Sequence, residues 1–195
     1  IAALRSATSL AKDLPAQPDD ALQTAFARTQ AKLRAFLQPP EETFQRFPKS
    51  NQSEAAHLAR AVAQFKRPSL EAALEEMRAL IAIAPNNGFN YDLLGQMLFE
   101  HGRIAPAIAA YEKANQLAPE NALILTDLGK SYLAADRVDE AIAVLEQASR
   151  QNHAMASTQR QLATAYGKQG KQGQSYLALA REAALQNEPE DMLRY

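Results

Sequence analysis

The sequence contains no cysteine, which excludes disulfide bonds, thiolate zinc sites and cysteine nucleophiles at once. No apolar run approaches the roughly 20 residues that a membrane-spanning helix needs. The 21 Lys and Arg residues nearly balance the 22 Asp and Glu residues, so the net charge of −1 creates no bulk attraction to nucleic acid or to an anionic membrane. Because the chain opens on Ile1 without a charged and then apolar leader, we expect a processed form or a fragment.

Motifs for catalysis are also missing. The zinc-protease motif H-E-x-x-H places two histidines four residues apart on one helical face, whereas His57, His101 and His153 are far apart in the sequence. No glycine-rich phosphate loop occurs, and the glycines between residues 167 and 173 are explained by a turn. We therefore expect surface or packing roles for the histidines, and neither a catalytic site, nor a metal site, nor a cofactor in this chain.

Residues that recur every 34 positions give the sequence its main pattern. The small residues Ala61, Gly95, Gly129 and Ala163 form one column. Three further columns have the same period. One holds the small residues Ala73, Ala107, Ala141 and Ser175, and another holds the large apolar residues Met77, Tyr111, Leu145 and Leu179. The third holds Pro85 and Pro119, with His153 at the next position of the column. This period in helical sequence is the mark of a tetratricopeptide array. We predict an all-α fold, a right-handed tetratricopeptide-repeat solenoid of helix hairpins with an N-terminal helical extension.

The pattern predicts two regions, an N-terminal helical connector at 1–50 and a repeat array at 51–195. The repeats are expected at about 54–87, 88–121, 122–155 and 156–189. Within the connector we predict a short helix before Pro15 and a second one that begins after Asp19 or Asp20 and stops at Pro39-Pro40. A third helix is expected from Glu41 to Phe47. The second helix has an apolar face formed by Leu22, Phe26, Thr29, Leu33, Phe36 and Leu37.

Small residues at helix crossings explain the recurring columns, because two antiparallel helices approach closely only where their side chains are small. We expect Gly95 to face Ala107 in one hairpin and Gly129 to face Ala141 in the next. The inner surface of such an array is formed by the first helix of each repeat, and it suits an extended or helical peptide. We transfer the inward-facing positions of first helices in such repeats to this sequence: Leu58, Val62, Phe65, Phe89, Asp92, Gln96, Phe99, Glu100, Leu123, Thr126, Lys130, Leu133, Arg160, Thr164 and Lys168.

Some of these residues have alternative roles. Phe65 and Phe99 fit a core as well as a groove, whereas Lys130, Arg160 and Lys168 fit plain solvated charge better than a dedicated clamp.

Residues 88–155 closely resemble the tetratricopeptide repeat family, position by position along both hairpins. Three segments also resemble periplasmic zinc metalloproteases of the β-barrel assembly-enhancing type, which carry a C-terminal repeat tail: Ile1–Arg5, Ala31–Pro48 and Leu93–Arg103. That resemblance implies a non-catalytic, periplasmic tail that docks substrates or outer-membrane assembly proteins and positions a catalytic domain. The chaperone-binding repeats that grip a C-terminal carboxylate use a lysine–asparagine pair, and Asp92 and Gln96 replace it here, which argues against that ligand.

Three other interpretations stay open at the sequence level. The chain suits a free-standing scaffold or co-chaperone unrelated to any protease. It also suits a self-association domain, a possible homodimer, in which Leu22, Phe26, Leu33 and Phe36 bury against a second copy. An enzyme in its own right is the most remote of the three.

Overall fold

Apolar residues at steps of three and four, interrupted by proline and glycine, fold into helices throughout the part of the chain that the computed structural model describes, residues 20–186. All regular elements in that part are helices. They are α1 (Asp20–Leu37), α2 (Pro40–Arg46), α3 (Glu54–Phe65), α4 (Leu70–Ile83), α5 (Gly88–Glu100), α6 (Ile104–Leu117), α7 (Ala122–Ala134), α8 (Val138–Gln151), α9 (Ala156–Lys168) and α10 (Gln172–Gln186). The prediction of an all-α chain is confirmed.

The chain divides into two compact units, the first ending at Glu76 and the second beginning at Met77, with this boundary inside α4. The division predicted after residue 50 stays a prediction. The predicted helix before Pro15 lies outside the described residues, and so does the last part of the repeat predicted at 156–189. α1 and α2 begin and end within two residues of their predicted bounds.

In the first unit, α1 packs along α3. Its buried residues are Ala31 and Ala35, which lie four positions apart and allow close approach. Two polar contacts hold the ends of the pair. Arg28 forms an ion pair with Glu54 at 2.8 Å. Lys66 Nζ donates to the carbonyl oxygens of Ala35, Phe36 and Gln38 at the C-terminal end of α1, where unpaired carbonyls favour a cation.

A buried polar cluster also stabilises the first unit. Arg60, only 2% exposed, donates to Glu76 at 2.8 Å and to the carbonyl oxygens of Pro48 and Asn51. His57 Nδ1 lies 2.7 Å from Glu76 Oε2. Burial acts to raise the pKa of Glu76, but the hydrogen bonds from Arg60 and His57 outweigh it and lower that pKa. The cluster therefore ties the segment between α2 and α3 to both α3 and α4.

The described part of the second unit, up to residue 186, contains three hairpins, α5 with α6, α7 with α8, and α9 with α10. Asn87 and Asn121 cap α5 and α7 by accepting from backbone N–H groups of the first turn. Each hairpin turn has one residue in the left-handed region at the same repeat position: Gly102, Asp136 and Gly170. The turn of the first hairpin lies at residues 101–103, between α5 and α6.

Close helix crossings occur at both glycines, but the nearest residue is Tyr111 at Gly95 and Leu145 at Gly129, and not the predicted Ala107 and Ala141. A Cβ atom on Gly95 would lie 2.8 Å from the ring of Tyr111, and one on Gly129 would overlap the branch point of Leu145. Both contacts are shorter than real Cβ atoms make. In the second helix of each hairpin, Tyr111 or Leu145 lies one turn beyond the small residue Ala107 or Ala141. Its side chain fills the space that a side chain at position 95 or 129 would need, so glycine is required at both positions.

Candidate partner-binding surface

The first helices of the second unit lie side by side. α5 contacts α7, and α7 contacts α9, in addition to the contacts within each hairpin and between successive hairpins. The three helices therefore form a continuous surface, which we call the first-helix wall. It is the surface on which the inward-facing positions were predicted to lie.

Two of the predicted groove residues in the first unit are not accessible. Leu58 is 4% exposed and Val62 is fully buried. Glu54, Leu58, Val62 and Lys66 follow one another at four-residue steps on one face of α3. The side chains of Glu54 and Lys66, at the two ends of this series, contact α1. The prediction that Leu58 and Val62 line a groove is wrong, because α1 packs over that face of α3. Phe65, at the end of α3, is half-buried.

On the first-helix wall, most predicted residues are at the surface. Phe89 is 53% exposed, and Asp92 and Phe99 are half-buried. Leu123, at the same repeat position as Phe89, is also 53% exposed. The remaining predicted residues that are exposed are polar or charged: Gln96, Glu100, Lys130, Arg160, Thr164 and Lys168.

Thr126 and Leu133 were predicted on the wall but are buried. The Thr126 hydroxyl donates to the carbonyl of Ala122 and lies 2.7 Å from the Thr158 hydroxyl. This contact joins α7 to α9 beneath the surface. The prediction that Thr126 contacts a partner is therefore wrong, because its hydroxyl stabilises the packing of neighbouring hairpins.

The three predicted cations have different surroundings. Arg160 pairs with Glu182 at 2.5 Å, and Lys168 pairs with Asp136 at 2.7 Å. Lys130 instead lies over the ring of Phe99, 4.7 Å from its centroid, a cation–π contact that holds the ammonium group at the surface. Close by, burial raises the pKa of Asp127, although Lys130 acts to lower it.

Sequence reasoning missed a pair of contacts between hairpins. Tyr132 donates its hydroxyl to Glu112 at 2.8 Å, and Tyr166 donates to Glu146 at 2.7 Å. Both members of the second pair lie 34 residues after those of the first. Burial, and then the hydrogen bond to the carboxylate, raises the pKa of each tyrosine to about 12. The two glutamates, Glu112 and Glu146, lie 34 residues apart and form a column in the sequence. A glutamate column without its tyrosine partners predicts only surface charge.

An open, mostly apolar cavity of about 520 Å³ adjoins the first-helix wall at the N-terminal end of α5. Phe89 and Leu117 are its largest apolar lining residues, and Pro85 and Asn86 also line it. Within residues 20–186 no group of three His, Cys, Asp or Glu side chains could hold a metal ion. No helix in that range is long and apolar enough to cross a membrane.

Comparisons with known proteins support the repeat assignment. Two family models described as tetratricopeptide repeat match residues 98–162 and 41–88. The second match begins within the predicted connector. A search of the curated proteins finds no match.

Solved structures show the same fold at low sequence identity. MamA (MSR-1) is 19% identical with a TM-score of 0.66, over 86% of this chain and 99% of that one. YrrB, described as a TPR protein with an unusual peptide-binding site, is 14% identical with a TM-score of 0.69, over 86% and 89%. PilF of Pseudomonas aeruginosa is 22% identical with a TM-score of 0.64, over 89% and 90%. The chain therefore carries tetratricopeptide repeats and has the helix-hairpin solenoid fold of that family.

Proposed function

We propose that this chain is a non-catalytic protein-interaction module that binds a segment of another polypeptide on the first-helix wall of its second unit. The observation that carries the proposal is the exposure of Phe89 and Leu123, each 53%, at equivalent positions of α5 and α7. A folded monomer gains nothing by exposing large apolar side chains in register, whereas a binding surface uses them as anchors.

The surroundings of these two residues favour a polypeptide ligand. Neighbouring helices pack about 8–10 Å apart, which is close to one turn of a polyproline II chain, three residues that span about 9 Å and bring every third side chain to the same face. Apolar side chains three positions apart in a partner can therefore reach both anchors. The cavity beside Phe89 offers room for one of them. YrrB, which has a similar fold, is described as having a peptide-binding site, and we extend the idea of a peptide ligand to this chain.

The wall is tested with an unfolded outer-membrane β-barrel protein as the probe, labelled for fluorescence anisotropy. We expect the double variant Phe89→Ser and Leu123→Ser to weaken binding about tenfold or more, because each anchor loses its apolar contact. Leu177→Ser is the matched control, since Leu177 is 51% exposed on α10, a second helix. Equal losses in the double variant and in the control would refute the wall as the binding surface.

We further propose that the chain is the repeat tail of a periplasmic zinc metalloprotease that docks substrates or outer-membrane assembly proteins. The resembling segments Ile1–Arg5, Ala31–Pro48 and Leu93–Arg103 support this proposal. Ala31–Pro48 spans the end of α1 and all of α2, and its first ten residues precede the repeat match that begins at residue 41. A free-standing scaffold or co-chaperone fits the fold equally well.

The reading frame upstream of Ile1 separates the two interpretations. A metalloprotease tail predicts an H-E-x-x-H motif before Ile1, and a scaffold predicts none. The presence or absence of this motif does not affect the test of the first-helix wall, because the anisotropy measurement is independent of any preceding domain. Failure of the unfolded β-barrel protein to bind the unsubstituted chain would count against outer-membrane proteins as the partner.

A further inference from the structure

Helix α1 has apolar residues on two opposite faces. Its buried residues are the small Ala31 and Ala35, on the face that packs along α3. The opposite face, which we call the outer stripe, has five large side chains, each at least 42% exposed: Leu22, Phe26, Leu33, Phe36 and Leu37. A helix that is apolar on both sides is typical of a protein interior, where a neighbour covers each side. The outer stripe is therefore expected to have a neighbour of its own, in addition to α3.

The sequence that precedes α1 contains a matching apolar series. Leu4, Ala7, Ala11 and Leu14 follow one another at steps of three, four and three, which is the spacing of one face of a helix. The helix predicted there ends before Pro15, so residues 15–19 are left as a short connection to α1. Connections of about two to eight residues join antiparallel neighbours in helical proteins. The preceding segment is thus expected to run back along α1.

The two apolar series match layer by layer when the helices are antiparallel. On the outer stripe, with the exposed Thr29 included, the steps are four, three and four, and a single register brings four layers together. Counted from the connection, the layers are Leu14 with Leu22, Ala11 with Phe26, Ala7 with Thr29, and Leu4 with Leu33. The largest side chain, Phe26, falls opposite an alanine, and alternation of large and small residues lets two helices interdigitate closely.

We propose that residues 2–14 cover the outer stripe as an antiparallel helix, so that α1 lies between this segment and α3. Covalent linkage selects this occupant, because a short tether gives a local concentration on the order of millimolar, whereas a second copy or another protein must compete from solution. The segment provides about 20 Å of helix, which is enough to cover the stripe from Leu22 to Leu33. The stripe lies on the first unit and is distinct from the first-helix wall, so the inference does not depend on the proposed function.

Cysteine cross-linking of the full chain tests the pairing, since the native sequence contains no cysteine. The chain is oxidised at about 1 μM, far below the local concentration that the tether provides. We expect Ala7→Cys with Thr29→Cys to form an intrachain disulfide about tenfold faster than the control, because the layer holds the two sulfur atoms within bonding distance. The matched control is Ser9→Cys with Thr29→Cys, because position 9 lies about 200° around the predicted helix from position 7 on a tether of similar length. Equal rates for the two pairs would overturn the proposal, and so would disulfides between chains, which would indicate that a second copy covers the stripe.

An exchange of side-chain sizes tests the register of the two helices. We expect Phe26→Ala and Ala11→Phe each to lower the melting temperature of the full chain, because one leaves a cavity in the layer and the other overfills it. The double variant restores one large and one small residue to the layer, so it should recover most of the loss. The control combines Phe26→Ala with Ser9→Phe, which adds the same side chain on the other side of the predicted helix and should recover nothing. No recovery in the double variant, or equal recovery in the control, would refute this register.

Discussion

The second unit joins its helices by contacts that recur every 34 residues, whereas the first unit depends on polar contacts that occur once. In the second unit Gly95 and Gly129 admit a large side chain at each crossing, and a tyrosine–glutamate pair joins each hairpin to the next. In the first unit Arg60 bonds to a carboxylate and two loop carbonyls, and Lys66 caps α1. The comparison shows that a degenerate repeat can be stabilised by side-chain hydrogen bonds in place of periodic packing.

The largest expected effect is at Arg60. Arg60→Met keeps most of the side-chain volume but removes the donor to two carbonyl oxygens and the cation beside the Glu76 carboxylate, which keeps only its contact with His57. We expect a loss of about 3–5 kcal/mol in the free energy of unfolding, measured by urea denaturation. Hydrogen exchange should locate the loss in α3 and α4. Arg150→Met is the control, since Arg150 is an exposed partner of Glu146 and its loss should cost less than about 0.5 kcal/mol.

The pH dependence of the same cluster follows from Glu76. Because the pKa of Glu76 is lowered in the folded state, its carboxylate stabilises the fold above the ordinary value of 4.5, and this stabilisation is lost as the pH falls below it. Unfolding of the unsubstituted chain should therefore become easier between pH 5 and pH 3, and Arg60→Met should weaken that dependence. An equal slope in both proteins would contradict the assigned cause.

The glycine crossings should give the next largest effect. Gly129→Ala and Gly95→Ala insert a methyl group into the space of Leu145 and Tyr111, so we expect each to cost about 1–3 kcal/mol in urea denaturation, despite the better helix propensity of alanine. Gly173→Ala is the matched control, because nothing lies within 4 Å of its added methyl group. That variant should be neutral or slightly more stable, and a loss as large as that of Gly129→Ala would refute the crossing argument.

A smaller effect is expected from the contact between Tyr132 and Glu112. Tyr132→Phe removes a hydroxyl donor to a carboxylate, for an expected loss of about 1–2 kcal/mol. A double-mutant cycle with Glu112→Gln measures the coupling of the two side chains. Tyr166→Phe should behave in the same way, because Glu146 takes the equivalent place. If the losses in the free energy of unfolding of the two single variants add up in the double variant, the hydroxyl and the carboxylate do not stabilise the fold through their mutual contact.

The smallest expected effect is a gain at Asp127. Burial raises the pKa of this carboxyl, so its ionised form opposes folding above the ordinary value of 3.8, and protonation relieves the penalty at lower pH. Asp127→Asn should therefore be slightly more stable than the unsubstituted chain at pH 7, with a difference that shrinks as the pH falls through the raised pKa. Thermal melts at pH 7 and pH 4 measure it, and a difference that grows on acidification would be inconsistent with the burial effect.

Periodic features of the fold could be predicted from the sequence, and features that occur once could not. The 34-residue columns located every hairpin of the second unit, because each turn and crossing recurs in register. Leu58 and Val62 were wrongly predicted to be accessible. The rule for inward-facing positions considers only the repeats, and it does not include α1, which packs over these two residues. Thr126 was misjudged because a threonine predicts neither a surface nor a buried hydroxyl until its partner Thr158 is known.

The tyrosine–glutamate contacts make the second unit extensible. Residues 122–155 contain both the tyrosine that reaches back to the preceding hairpin and the glutamate that receives the following one, Tyr132 and Glu146. A duplicate of 122–155 inserted after residue 155 would therefore find a complementary group on each side. Duplication can therefore change the number of hairpins without requiring a new kind of contact between them. The length of partner that such a chain can bind would change with the number of hairpins.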